Sequence, residues 1–342
     1  MGRTYRIRGL VPVAFLAMLL AGCSGGAGTP GPAATSASSD APSASTALAA
    51  TPGPSATLTA SPPAGPPLAG RLLFSRFIEA THTFTGMFIV RPDGSGETEV
   101  PLPGTDGGGR WSRSGKEIAI ATELADGRVG TAIIAADGTV LRVFELPDAT
   151  LNLPCGQWSP DDSRLACQGW DDTDHARDGI YTVRASDGGD LQRLTTPPAG
   201  MLDEPGDYSP GGQFVFKRLV GNEAPGPLML VDASGGEPTT FYDQPVEDTG
   251  RFSPDGKSVV TSANGRILVL GLDGKIQFLL TDGQAYIFGP AWSPDGAHIA
   301  YSVSRTGPFA EIYTSRPDGN DRRRVTHTSA NEITVDWGVD AP

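Results

Sequence analysis

The chain has 342 residues, enough for one large domain with a substantial core, and its formal net charge is −13. So acidic a chain is a poor partner for nucleic acid, whose phosphates demand Lys and Arg. Glycine (45) and proline (30) are plentiful and long helical patterns are absent, which favours an all-β protein with many turns.

Residues 1–22 read as an export signal. Arg3, Arg6 and Arg8 form a basic end, and the apolar run Leu10 to Leu20 is short for a membrane span. It closes on Leu20-Ala21-Gly22-Cys23, which resembles the bacterial lipoprotein box. That resemblance implies cleavage before Cys23, a lipid on its sulfur, and a membrane-anchored protein on the cell surface or in the periplasm. Residues 23–69 are then a tether of Ser, Ala, Thr, Pro and Gly, with Asp40 as the sole charge and no aromatic residue. This composition cannot bury enough apolar surface to offset ordering entropy, so a disordered linker is expected.

At Gly70 the pattern changes, and residues 70–342 read as one domain built on a repeat. Trp292-Ser293-Pro294-Asp295-Gly296 and Phe252-Ser253-Pro254-Asp255-Gly256 are its full copies. Tyr208-Ser209-Pro210-Gly211-Gly212, Trp158-Ser159-Pro160-Asp161-Asp162, Trp111-Ser112-Arg113-Ser114-Gly115 and Asp336-Trp337-Gly338 are worn ones. The aromatic positions recur every 40 to 50 residues, a propeller-blade period. Proline presets the first turn position, aspartate suits the second, and glycine accepts the backbone that follows. The preceding aromatic can bury a large surface between neighbouring sheets.

Each repeat holds four strand candidates, with a second Asp-Gly-type turn between the third and fourth. At the N-terminus Leu72–Arg76 is a second strand without a first, and Ile333–Trp337 is a first strand without a second. The expectation is a six-bladed β-propeller of four-stranded antiparallel blades, closed by one blade shared between the two ends.

These residues resemble the TolB-type propeller repeat. Trp292–Gly296, Ile299-Ala300-Tyr301, Ile312-Tyr313, Pro317-Asp318-Gly319-Asn320 and Val325-Thr326 follow its pattern closely, and the resemblance covers 70–338. It differs from periplasmic TolB in having the tether where that protein has an α/β domain. It also lacks the hydrolase domain that follows similar propellers in prolyl-oligopeptidase-type peptidases. The family implies a fold and protein–protein work, and fold alone does not fix function.

No Gly-x-Ser-x-Gly elbow, P-loop or dinucleotide fingerprint occurs, and the four histidines form no zinc motif. No catalytic residue, metal ligand or cofactor is assigned. Cys155 and Cys167 flank the turn at Pro160-Asp161, so a hairpin sets them opposite each other, and export permits a disulfide. The long loops gather at the end of the propeller away from the short turns, and that end is rich in carboxylates. The densest stretch is Trp170, Asp171, Asp172, Asp174, His175 and Asp178, our candidate ligand-binding loop. It departs from the EF-hand pattern, so a solvated acidic loop is favoured over a Ca²⁺ site there. Packing at a blade edge is favoured for Trp170 over ligand stacking.

The expectation is a monomeric interaction module for an envelope protein, peptide or cell-wall ligand, not an enzyme. The alternatives are a solute- or ion-binding lipoprotein, or a hydrolase or lyase with its site in the central channel.

Overall fold

The repeat motif folds as its chemistry dictates. At Ser293 the backbone N–H donates to the His298 carbonyl at 2.8 Å, and the Gly296 N–H donates back to the Ser293 carbonyl at 2.9 Å. The Ser293 hydroxyl donates to Asp295 Oδ1 at 2.6 Å and accepts the His298 N–H at 2.9 Å. Ser253 with Asp255 and Ser159 with Asp161 repeat the arrangement. The last turn residue takes positive φ, +69° at both Gly256 and Gly296, where glycine carries no steric penalty. In the worn copy Asp162 holds φ +58° instead, a conformation Asp tolerates better than most side chains.

A computed structural model describes residues 55–57, 67–78, 83–102, 108–146, 148–221, 225–305 and 309–340. The export signal, Cys23 and nearly all of the tether lie outside these residues. The described strands begin with β1 (Ser55–Thr57), β2 (Arg71–Ile78), β3 (Thr83–Val90), β4 (Thr98–Val100), β5 (Gly109–Trp111), β6 (Ile118–Glu123), β7 (Val129–Ile134), β8 (Val140–Val143) and β9 (Leu151–Asn152). They continue with β10 (Cys155–Trp158), β11 (Arg164–Asp171), β12 (Gly179–Arg184), β13 (Gln192–Arg193), β14 (Met201–Tyr208), β15 (Gln213–Val220), β16 (Gly226–Asp232), β17 (Thr239–Val246) and β18 (Arg251–Phe252). The last are β19 (Ser258–Ala263), β20 (Arg266–Gly271), β21 (Ile276–Thr281), β22 (Tyr286–Trp292), β23 (Ile299–Ser304), β24 (Ala310–Ser315), β25 (Arg323–Arg324) and β26 (Asn331–Gly338). One turn of 3₁₀ helix, His175–Arg177, is the single helical element among the described residues.

The fold is all-β, a propeller-like arrangement of antiparallel sheets. The expectation was six separate sheets, and the hydrogen bonding defines five. The runs β5–β8, β10–β13, β14–β17 and β18–β21 each form their own sheet. The fifth holds eight strands, because β22–β25 and the set β26-β2-β3-β4 are fused by one parallel pairing, Ala310 with Asn331. Within that sheet β26 runs antiparallel to β2, pairing Leu72 with Trp337 and Phe77 with Asn331.

Three departures refine the strand reading. Ser55–Thr57, expected as tether, lie parallel to β21, Ser55 beside Leu279. Strand β11 runs on through Trp170 and Asp171, expected as loop, because β9 pairs with its end. Strand β14 begins at Met201, seven residues before the aromatic Tyr208 of its turn motif, and pairs with β15 along its whole length.

The core lies between neighbouring strand sets rather than inside any one of them. Six apolar clusters fill these interfaces. Trp158 lies in the cluster joining β5–β8 to β10–β13, Tyr208 in the next, and Phe252 in the one after it. Trp292, Trp337 and Trp111 occupy the remaining three. A fully buried side chain such as Phe74 or Phe216 contributes about 1.5–3 kcal/mol relative to exposure. The first strands of the sets, β5, β10, β14, β18, β22 and β26, adjoin one another in sequence, and β26 adjoins β5.

Candidate functional site: the acidic loops and the inner ring

The loop that follows β11 is held by its own carboxylates. Asp171 is 1% exposed. Its Oδ1 accepts from the N–H and hydroxyl of Thr173 and from the Asp174 N–H. Its Oδ2 accepts from the Thr150 hydroxyl at 2.6 Å and from Arg177 at 2.8 Å. These donors, Thr150 first, hold the Asp171 carboxyl well below the usual range. Asp178, also buried, accepts the Asp171 N–H through Oδ1, and its Oδ2 meets His175 Nδ1 at 3.0 Å. Asp174 caps the 3₁₀ turn by accepting the Ala176 N–H. Trp170 is half-buried at the edge of the sheet beside Asn152.

The six candidate residues are thus brought together, but with two different surroundings. Asp171 and Asp178 are internal supports, whereas Asp172, Asp174 and His175 face solvent. Among the described residues no three His, Cys, Asp or Glu side chains are placed to share a metal ion. The disulfide joins Cys155 to Cys167, partners on β10 and β11, three residues before Trp170.

Much of the acidity expected of the loop end is compensated. Buried Asp203 pairs with Arg218 at 2.7 Å, buried Glu332 with Arg76 at 2.7 Å, and buried Asp282 with both Arg305 and Arg322. Arg177 also binds Asp148, Arg128 binds Asp126, and Lys217 binds Glu204. Several of these cations, Arg76, Lys217 and Arg218, stand on strands rather than in loops, so the loop sequences alone do not reveal them. Glu247 is stabilised differently. The Tyr286 hydroxyl at 2.5 Å and the Asn264 N–H at 2.8 Å both donate to its Oε1, while burial raises its pKa.

A second polar centre was missed. In each first strand the residue just before the aromatic stands on the inner ring: Arg110, Gln157, Asp207, Arg251, Ala291 and Asp336. Asp207 Oδ2 accepts the Phe252 N–H of the next set, and Asp336 Oδ2 accepts the Trp111 N–H of the next set at 2.7 Å. Asp336 Oδ1 also pairs with Arg251. Arg113, which stands where other copies of the turn carry proline, reaches Asp207 Oδ1 at 2.5 Å and bridges past Gln157. The missing proline in Trp111–Gly115 was the signal for this, and so were charged residues at a position facing away from the buried aromatic.

These features define a β-propeller protein with a charged inner ring and rigid acidic loops. No protein-family profile matches the chain. The solved structure of TolB from Acinetobacter baumannii is similar over 79% of this chain and 66% of its own length, with a TM-score of 0.60 at 18% identity. A structure from Agrobacterium tumefaciens provisionally assigned as TolB is similar over 79% of this chain and 99% of its own, with a TM-score of 0.53 at 17% identity. The fold is therefore TolB-like. In sequence, the uncharacterised protein Atu1656 of Agrobacterium fabrum is 26% identical over 179 residues, half of this chain and 57% of its own length. Dipeptidyl-peptidase 5 of Porphyromonas endodontalis is 34% identical over 85 residues, only 12% of its length.

Proposed function

We propose that this protein is an extracytoplasmic lipoprotein, anchored through Cys23, whose propeller binds an envelope protein or peptide through its acidic loop end. We count six blades, with β26 completing the blade begun by β2. Six interfacial clusters and the adjacency of β26 to β5 support that count over the five hydrogen-bonded sheets. The observation that carries the binding reading is the loop after β11. Its backbone is fixed by Asp171 and by the nearby disulfide, so Asp172, Asp174 and His175 are presented with little entropy left to lose on binding. A pre-ordered, exposed, charged loop on a rigid scaffold suits protein recognition.

The carboxylates that a cation site would need at this loop are taken up by Thr150, Thr173, Arg177 and His175, which weighs against an ion-binding role there. The test is affinity capture from envelope extracts, with Asp172→Lys plus Asp174→Lys as the control. Both residues are exposed, and the buried supports Asp171 and Asp178 are left in place. A partner retained by the parent and lost by the variant supports the reading. A partner retained equally by both places binding elsewhere.

A further inference from the structure

On the inner ring one arginine lacks an ion-pair partner among the described residues. Arg113 and Arg251 have carboxylate partners, Asp207 and Asp336. Arg110 has none among the described residues. Its Nε is buried without a hydrogen-bond partner, and Nη1 reaches only the carbonyl of its own neighbour, Gly109, at 3.3 Å. Its stem lies against the adjoining first strand, where a Cβ on Gly156 would stand 3.4 Å from Arg110 Cγ. Next on that strand, the Gln157 side chain forms no hydrogen bond among the described residues. Donors are therefore in excess on this side of the ring.

We propose that the inner ring takes a carboxylate group against Arg110, with the Gln157 amide as a second donor. A guanidinium offers its N–H groups as a planar fork that matches a carboxylate in two parallel bonds. A singly charged group fits better than phosphate. Asp207, Asp248 and Asp336 all act on Arg110 electrostatically, and they would repel a dianion about twice as strongly as a monoanion. The Arg110 pKa is lowered to about 10, by burial first and then by Arg251, as befits a cation short of a counter-charge. The ligand is either a free monocarboxylate or an acidic side chain of a bound peptide, and the proposal is independent of the loop-end reading.

The test follows the melting temperature of the protein during titration with sodium acetate, with a capped pentapeptide whose only charge is one Glu, and with sodium phosphate. Sodium chloride keeps the ionic strength constant. Acetate or the peptide is expected to raise the melting temperature saturably, with an apparent Kd at least tenfold weaker in Arg110→Gln. Response to acetate identifies a free anion, and response to the peptide alone identifies a partner's side chain. Should Arg110→Gln not fold, Arg110→Lys retains the charge without the fork and is expected to bind at least threefold more weakly. No saturable shift with either carboxylate, an unchanged Kd in the variant that folds, or phosphate binding as tight as that of the carboxylates overturns the proposal.

Discussion

Replacing Asp336 with Ala removes two contacts between strand sets at one stroke. Its Oδ2 holds the Trp111 N–H at 2.7 Å, and its Oδ1 neutralises Arg251. Both members of that ion pair are less than a fifth exposed, so little solvent replaces what is lost. Breaking a buried pair from one side costs about 3–5 kcal/mol, and the orphaned Trp111 N–H lies within that figure rather than on top of it. At about 2–4 °C per kcal/mol for a domain of this size, the melting temperature should fall by roughly 6–20 °C. Asp336→Asn keeps an oxygen for Trp111 and loses only the charge, so it should fall between parent and Ala. Adding Arg251→Met to Asp336→Ala should restore part of the loss, because the unpaired cation goes too. Thermal melts followed by circular dichroism, with a urea titration as a second measure, decide the matter. A loss below about 1 kcal/mol for Asp336→Ala, or no recovery in the double variant, would refute the view that the ring is latched here.

Cys167→Ser, or reduction of the parent, should cost roughly 2–3 kcal/mol, since the bridge closes a short loop between residues 12 apart; identical melts with and without reductant would count against it. Burial raises the Glu247 pKa, so stability falls as pH climbs through that value and ionises the group. Glu247→Gln keeps the oxygen that accepts from Tyr286 and Asn264 and should therefore gain more stability at pH 7 than at pH 4; an equal gain at both would dismiss the linkage. Asp161 behaves oppositely: bonds from Ser159 first, then Ser163, lower its pKa to about 2, giving stability that is present above the usual carboxylate value and lost as pH falls toward 2. Asp161→Asn should flatten that acid limb, and an unchanged limb would show that the turn carries none of it. Cys23→Ala should release the protein from membranes on fractionation, and retention in the membrane pellet would exclude a lipid anchor at that position.

The turns were legible because Ser-Pro-Asp-Gly encodes its geometry locally, within five residues. The pairing of Cys155 with Cys167 was legible for the same reason, since one hairpin sets their register. The ring was not. Arg113 finds Asp207 at a separation of 94 residues and Arg251 finds Asp336 at 85, and no local rule links them. The candidate loop was read too uniformly, since its carboxylates divide between buried supports and exposed groups. Alternation along β11 turns Asp171 inward, and β9, a two-residue strand too short to announce itself, extends the sheet beneath it. Fusion of two strand sets at Ala310 and Asn331 rests on a single pairing that strand patterns cannot foretell.

The pairing of β2 with β26 also sets a timetable. Leu72 meets Trp337 only after the 264 residues between them have been made, which at about 5–20 residues per second takes from a quarter of a minute to nearly a minute. Throughout that interval Leu72, Leu73 and Phe74, all wholly buried at the end, belong to a strand with one side unmet. The ring is therefore obliged to stay open until synthesis is almost finished, and β2, among the first of its strands to emerge, is among the last to be sheltered. Any factor that shields this segment has to hold it from its emergence until β26 is present to pair with it.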